Sequence, residues 1–271
     1  MKKHISNLLL VLVFVAGLSL LLYPTVSDYW NSMHQSRAVV SYSDSVAQLD
    51  NVSYQAVWDE ARAYNASLLK KRNRFYMREK DRREYEQLLN VTSNGVMAMI
   101  EIPKIKVSLP IYHGTDEAVL QVAIGHLEGS SLPVGGVGTP CVVSGHRGLP
   151  SAKLFSNLDQ LDLGDTFMIH VLDETLTYEV DQVLVVEPDE MDALAINPEY
   201  DLCTLITCTP YGINTHRLLV RGHRIETQEV KAAVRVTSDA SIIDPLAVSA
   251  VVAVPLLLVW LLWLMLAPRK R

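Results

Sequence analysis

Three thiols, eight imidazoles and a permanent cation beside one of the thiols equip this chain for nucleophilic chemistry, and their positions rank them. Cys141 opens the run Cys-Val-Val-Ser-Gly-His, and Cys203 lies inside Leu-Cys-Thr-Leu-Ile-Thr. Both read as small apolar core residues, the usual fate of a free cysteine. Cys208 differs, because it ends a β-branched run and is followed by Thr209-Pro210-Tyr211-Gly212, which puts its sulfur at a strand end within reach of a substrate. His146 follows another such run directly, and Arg217 opens the next one. A thiol with a pKa of about 8.5 needs an acid/base partner to attack a carbonyl and release an amine. The tetrahedral oxyanion that forms needs a fixed donor, and an arginine supplies one that never deprotonates. Cys208, His146 and Arg217 are therefore the candidate trio. Spacing alone leaves rivals open. His216 and His223 lie close to Arg217, while Arg221 shares its strand parity and so faces the same side. His113 and His126 read as loop or core residues, and His170 as mid-strand.

Cys141, Cys203 and Cys208 make an odd count, so they cannot close a disulfide framework. No spacing of His, Cys and Asp matches a structural zinc site. Gly135-Gly136-Val137-Gly138 lacks the Lys-Ser/Thr pair of a phosphate loop and reads as a turn. No cofactor is expected.

The elements that would carry the trio lie between about Gly95 and Ile225. There, short β-branched runs alternate with turns: Val96–Ile102, Leu109–Tyr112, Cys141–Ser144, Thr166–Val171, Thr175–Val180, Gln182–Val186, Leu202–Thr207 and Arg217–Arg221. Eight strands without intervening helical periods point to a closed or nearly closed barrel. Upstream, Asp28 to Leu89 reads as helical. Val57, Ala61, Tyr64 and Leu68 recur at helical spacing, and Tyr85, Leu88 and Leu89 repeat the pattern before Asn90. Between them Lys70 to Arg83 holds eight basic residues against Glu79 and Asp81. This run reads as a solvated helix face, with contact to anionic cell-wall polymer or lipid head groups as its other use.

Both ends are apolar. Ile5 to Tyr23 carries no charge and is closed by Pro24, and Leu246 to Ala267 is a second uncharged stretch. Each approaches the roughly 20 residues that cross a bilayer as a helix. Lys2, Lys3 and the tail Arg269-Lys270-Arg271 flank them, so both termini are expected in the cytoplasm and the chain between them outside. A cleaved secretory signal is the rival for the first stretch, but no small-x-small site follows its core. Removing those five cations from the 24 basic residues leaves 19 against 30 acidic ones, a middle region of −11. Such a body is a poor partner for nucleic acid, where phosphate neutralisation supplies most of the affinity.

Thr204-Leu-Ile-Thr-Cys208 resembles the TLxTC signature of the sortases, membrane-bound cysteine transpeptidases of Gram-positive bacteria. The resemblance runs from about Gly95 to Ile225. It includes Ile100-Glu-Ile-Pro-Lys-Ile, Leu109-Pro-Ile-Tyr-His-Gly-Thr115, Gly125-His-Leu-Glu-Gly-Ser-Ser-Leu-Pro133, Ser144-Gly-His-Arg-Gly-Leu-Pro-Ser-Ala-Lys-Leu-Phe155 and Thr207-Cys-Thr-Pro-Tyr-Gly-Ile-Asn-Thr-His-Arg217. With the C-terminal apolar stretch, the set is similar to class C, the pilin-polymerising sortases. The resemblance implies a mainly β fold: an eight-stranded sortase barrel over residues 95–225, preceded by a membrane helix in 1–24 and a helical region in 25–94. A linker over 226–245 and a second membrane helix in 246–271 would follow. It implies that Cys208 attacks the Thr–Gly bond of an LPxTG-type sorting signal, that His146 is the acid/base, and that Arg217, in its Asn-Thr-His-Arg context, holds substrate and oxyanion. The acceptor in this class is a Lys amine of another pilin subunit.

One departure bears on regulation. Class C enzymes generally carry a lid with an Asp-Pro-aromatic motif ahead of the barrel. Here no Pro occurs between Pro24 and Pro103, and the equivalent stretch is the basic Lys70–Arg83 run. The lid motif is therefore expected to be absent; Phe75 or Tyr76 would be its substitute if one exists. A housekeeping sortase acting on wall precursor and a cysteine endopeptidase with water as acceptor are the alternative enzymes. A non-catalytic adhesion or scaffold domain is the alternative outside enzymes.

Overall fold

The computed structural model describes residues 2–71, 73–92, 94–227 and 257. Residues 31–230 form one compact unit, and residues 2–30 belong to another. Helix α1 (Lys2–Ala47) contains Pro24 rather than ending at it. The expected stop is thus corrected: proline removes one backbone donor and crowds one turn, and a helix of this length continues past the defect. Its apolar part reaches a mean hydropathy of 2.1, long and apolar enough to cross a membrane. The second expected span, Leu246 to Ala267, lies outside the described residues except for residue 257.

Helix α2 (Asn51–Leu68) is capped by Asp50, whose Oδ1 accepts from the Ser53 amide at 2.7 Å. Such a cap satisfies an amide that the first turn leaves without an intrahelical acceptor. Trp58, Ala61, Tyr64, Asn65 and Leu68 form its buried face, which settles against the barrel core. Asn65 acts there as a backbone mimic, donating to the Leu132 carbonyl and accepting from the Leu132 amide. Helix α3 (Glu79–Gln87) buries Tyr85, and Leu89 just beyond it is buried as well.

Eight strands then close into a barrel. They are β1 (Val96–Ile102), β2 (Val107–His113), β3 (Ile124–His126), β4 (Cys141–Ser144), β5 (Thr166–Val171), β6 (Glu174–Val186), β7 (Leu202–Thr209) and β8 (His216–Ile225). The order around the barrel is β1-β2-β3-β4-β7-β8-β6-β5, with β2–β3 and β4–β7 parallel and the other pairs antiparallel. The expected count of eight is right, yet two of its members are wrong in compensating ways. Thr175–Val180 and Gln182–Val186 are one strand, interrupted by a bulge at Asp181 that shifts the register. Strand β3 was not foreseen, because Ile-Gly-His is too short to show a period.

Alternation along the strands divides the side chains between two faces. Cys141, Val143, Cys203, Leu205, Leu218 and Val220 join the interior core with Phe167 and Tyr178, whose rings stack at 5.4 Å. Val142, Ile206 and Leu219 point the other way, onto the outer surface of β4-β7-β8.

The hydroxyl of Tyr42 ties the last turns of α1 to the barrel. Tyr42, 2 % exposed, donates to the Met97 carbonyl at 3.0 Å and accepts from the Leu172 amide at 2.8 Å. Leu172 starts the two-residue β5–β6 turn at φ 52°, a conformation costly for a residue with a Cβ. The phenol fixes that amide. Tyr42→Phe leaves a buried donor and a buried acceptor unpaired, so it is expected to cost about 1–3 kcal/mol. Denaturant unfolding should show a lower midpoint with an unchanged slope.

Candidate active site

Strand register places two of the three candidate residues side by side. Cys208 on β7 lies directly opposite Arg217 on β8, and directly paired residues of antiparallel strands share a face with Cβ atoms about 4.5–5.5 Å apart. The third comes along the neighbouring parallel strand. Ser144 pairs with Ile206, the Gly145 amide donates to the Ile206 carbonyl at 3.0 Å, and the Thr207 hydroxyl donates to the Gly145 carbonyl at 2.7 Å. These bonds carry the chain past the end of β4, so that His146 follows alongside Cys208. All three residues are partly exposed. By parity they lie on the outer face, at the end of an apolar floor made by Val142, Leu184, Val186, Ile206 and Leu219.

The rival residues fall elsewhere or are already engaged. Cys141 and Cys203 are register partners inside the barrel, 2 % and 0 % exposed. His126 is wholly buried against Tyr85 and Ser131. The ring nitrogens of His113 lie 2.9 and 2.7 Å from the Gly95 and Leu88 carbonyl oxygens, and burial holds its pKa below the ordinary histidine value. His170 contacts Glu101 and Thr175. His216 is opposite in parity to Arg217 and meets Glu187 at 3.3 Å, and His223 sits at the far end of β8 near Asp181. Arg221 shares the face of Arg217, but its Nε and Nη2 donate to the two Asp181 oxygens at 2.9 and 3.2 Å. Arg217 has no such carboxylate partner among the described residues; its Nη1 donates to the Asn214 and His216 carbonyls at 3.3 and 3.1 Å.

Two neighbours were not anticipated. Glu117, at the start of a short helix α4 (Glu117–Leu120), brings Oε2 to 3.9 Å from His146 Nε2. The second is the basic run, only partly the solvated face expected of it. Arg78 pairs with Asp81, Arg82 with Glu128 and Arg83 with Glu79, whereas Arg74 is 8 % exposed and donates to the Leu194 carbonyl. Phe75 packs onto the apolar floor and Tyr76 remains exposed. Gly129 permits this approach: it has φ 84°, and a Cβ there would come within 2.2 Å of the Arg74 carbonyl oxygen. Neither a buried arginine in a run of eight cations nor the role of a glycine in Leu-Glu-Gly-Ser leaves a periodic signal.

A thiol, an imidazole and a guanidinium on one rim form an arrangement suited to acyl transfer. Comparison with known proteins agrees with that chemistry. A model of the sortase domain matches residues 100–225. Sortase D of Bacillus subtilis (strain 168) is 30 % identical over 130 residues, a match covering 47 % of this chain and 63 % of that protein. The crystal structure of sortase C1 from Streptococcus agalactiae is 48 % identical, covers 71 % of this chain and all of that one, and superposes with a TM-score of 0.68. Sortase C of Streptococcus pneumoniae is 44 % identical over 70 % of this chain and 96 % of its own, with a TM-score of 0.63. The fold and nearly half of the aligned residues are thus shared with sortase C1, and this chain belongs to the sortase family of cysteine transpeptidases.

Proposed function

We propose that this chain is a membrane-anchored class C sortase that cuts an LPxTG-like sorting signal between Thr and Gly and joins the Thr carbonyl to a Lys amine of a pilin subunit. The observation that carries the reading is the cross-strand pairing of Cys208 with Arg217 beside the strand that leads to His146. Similarity to the sortases C of two streptococci supports the class, and the Streptococcus pneumoniae structure bears on pilin substrate specificity.

The steps follow from the three groups. His146 takes the Cys208 proton as the sulfur adds to the Thr carbonyl, and the Arg217 guanidinium stabilises the oxyanion. Collapse breaks the C–N bond; the imidazolium gives its proton to the leaving Gly amine, and the Thr carbonyl remains on sulfur as a thioester. The neutral Lys amine of the acceptor then attacks. His146 removes the amine's proton, and collapse of the second tetrahedral intermediate forms the isopeptide bond. The thiolate expelled takes the proton back from His146. The partly exposed apolar side chains of Leu184 and Ile206 beside the trio suit the Leu and Pro of the signal. Basic ends with an apolar span at each would hold both termini in the cytoplasm and residues 25–245 outside.

Product analysis separates the three enzyme readings. Incubated with a sorting-signal peptide and a Lys-bearing pilin peptide, the protein is expected to give an isopeptide-linked product by mass spectrometry, with hydrolysed peptide in the minority. Hydrolysis unchanged by the acceptor would make it an endopeptidase. Transfer only to a wall-precursor amine would make it a housekeeping enzyme.

A further inference from the structure

Next to each member of the candidate nucleophile–base pair is a residue that bonds across to the other's loop. Arg147 follows His146, and Thr209 follows Cys208. The Arg147 side chain is 9 % exposed. Its Nη1 donates to Thr209 Oγ1 at 3.4 Å, its Nη2 donates to Asp159 Oδ2 at 2.5 Å, and the guanidinium lies 5.8 Å from the centroid of the Tyr211 ring. Its Nε is buried without a partner. Tyr211 also leans on Gly148, where a Cβ would meet ring carbons at 3.1 Å; that glycine sits at φ 77°. The Gly148 amide in turn donates to Ser156 Oγ at 3.0 Å.

A buried guanidinium with this geometry ties three pieces of chain together. These are the loop after β4, the segment around Asp159, and the Thr209-Pro210-Tyr211 turn after β7. Arginine suits the task because its donors are fixed in one plane and its face can stack on an aromatic ring; lysine offers a single mobile point charge and neither feature. An exposed surface pair would carry little energy, but a partly desolvated charge-assisted bond is stronger and geometrically more exacting.

We infer that Arg147 is a positioning residue for the acyl-transfer reaction. Through Thr209, Asp159 and Tyr211 it fixes the separation between the His146 imidazole and the Cys208 sulfur, without touching the substrate. The inference rests on the proposed roles of Cys208 and His146. It goes beyond them in naming what holds that pair in register beyond the last ladder bond of β4. A displacement of about 1 Å between reacting groups is enough to cost about a hundredfold in rate.

The test compares the full-length wild-type protein in detergent with Arg147→Lys and Thr209→Val, using cleavage of a sorting-signal peptide and the thermal midpoint. Thr209→Val removes the hydroxyl while keeping the shape, so it remains informative if Arg147→Lys does not fold. Arg147→Lys is expected to lower kcat by about ten- to a hundredfold with KM within twofold, and Thr209→Val by a smaller factor in the same sense. For both variants, the thermal midpoint is expected to stay within a few degrees of wild type. The pH dependence of kcat should also change in shape, because a loosened imidazole hands over its proton less efficiently. An unchanged kcat in folded Arg147→Lys overturns the inference. So does a raised KM with unchanged kcat, which would put Arg147 in substrate binding, and so does a rate loss that merely tracks the fraction unfolded. A wild-type protein that leaves the peptide uncut overturns the proposed function instead, which keeps the two failures distinct.

Discussion

Cys208→Ala is expected to abolish both cleavage and transfer, with a rate loss of at least about ten-thousandfold, because every bond rearrangement in the proposed reaction passes through that sulfur. Among the described residues the outer rim carries no other thiol. The two remaining thiols face the barrel interior and are closed off from solvent. Cys141→Ala and Cys203→Ala should therefore keep the chemistry and lose only packing, about 1–2 kcal/mol each. The same geometry fixes a thiol count. In the native protein a soluble alkylating reagent should modify one cysteine rapidly and spare two, and in denaturant it should modify all three. With peptide and no acceptor, wild type should accumulate an adduct with the mass of the acyl fragment on the Cys208 tryptic peptide. A Cys208→Ala protein that still joins peptides would take the nucleophile's role away from Cys208, whereas a wild type that forms neither adduct nor product would leave a scaffold or adhesion domain.

How far the residues themselves disclosed this site can be judged element by element. The difference in burial among the thiols could be read because strand ends and strand interiors look different in sequence: Cys203 sits between Leu202 and Thr204-Leu205, while Cys208 runs into a Pro-Tyr-Gly turn. Barrel closure was legible from turn punctuation, although β3 and the continuity of β6 were not. Asp181 looked like an interruption because an acid seldom sits in a buried strand; its place in a bulge, bonded to Arg221, resolves the conflict. Parity could not separate Arg217 from Arg221, since four residues along a strand return to the same face. The neighbouring strands distinguish them: β7 sets Cys208 opposite Arg217, and Asp181 on β6 engages Arg221. Tertiary contacts hid the rest. Arg74 reads as one more surface cation and is buried under the β6–β7 connection, and Arg147 reads as a loop arginine and joins three segments.

Arg217→Ala is expected to lower kcat by about a hundred- to a thousandfold, the usual cost of losing one preorganised oxyanion donor. Arg221→Ala provides the matched control. Both residues lie on β8 with the same facing, yet their guanidinium groups are employed differently. Arg221 spends two donors on Asp181, so its loss leaves a half-buried carboxylate with only His223, at 3.8 Å, beside it and should appear as a stability deficit of about 1–2 kcal/mol. Arg217 uses one nitrogen on two carbonyls at the start of β8, leaving the rest of its fork toward the rim where Cys208 sits opposite. Arg217→Lys should recover only a small part of the lost rate, because a point charge reproduces the field without the paired, planar donors. Single-turnover formation of the thioester is the proper measurement, since acceptor attack and product release do not enter it. If Arg221→Ala slows that step as much as Arg217→Ala does, the oxyanion is held by the pair rather than by the residue facing the sulfur. The cross-strand register would then no longer identify the third member of the site.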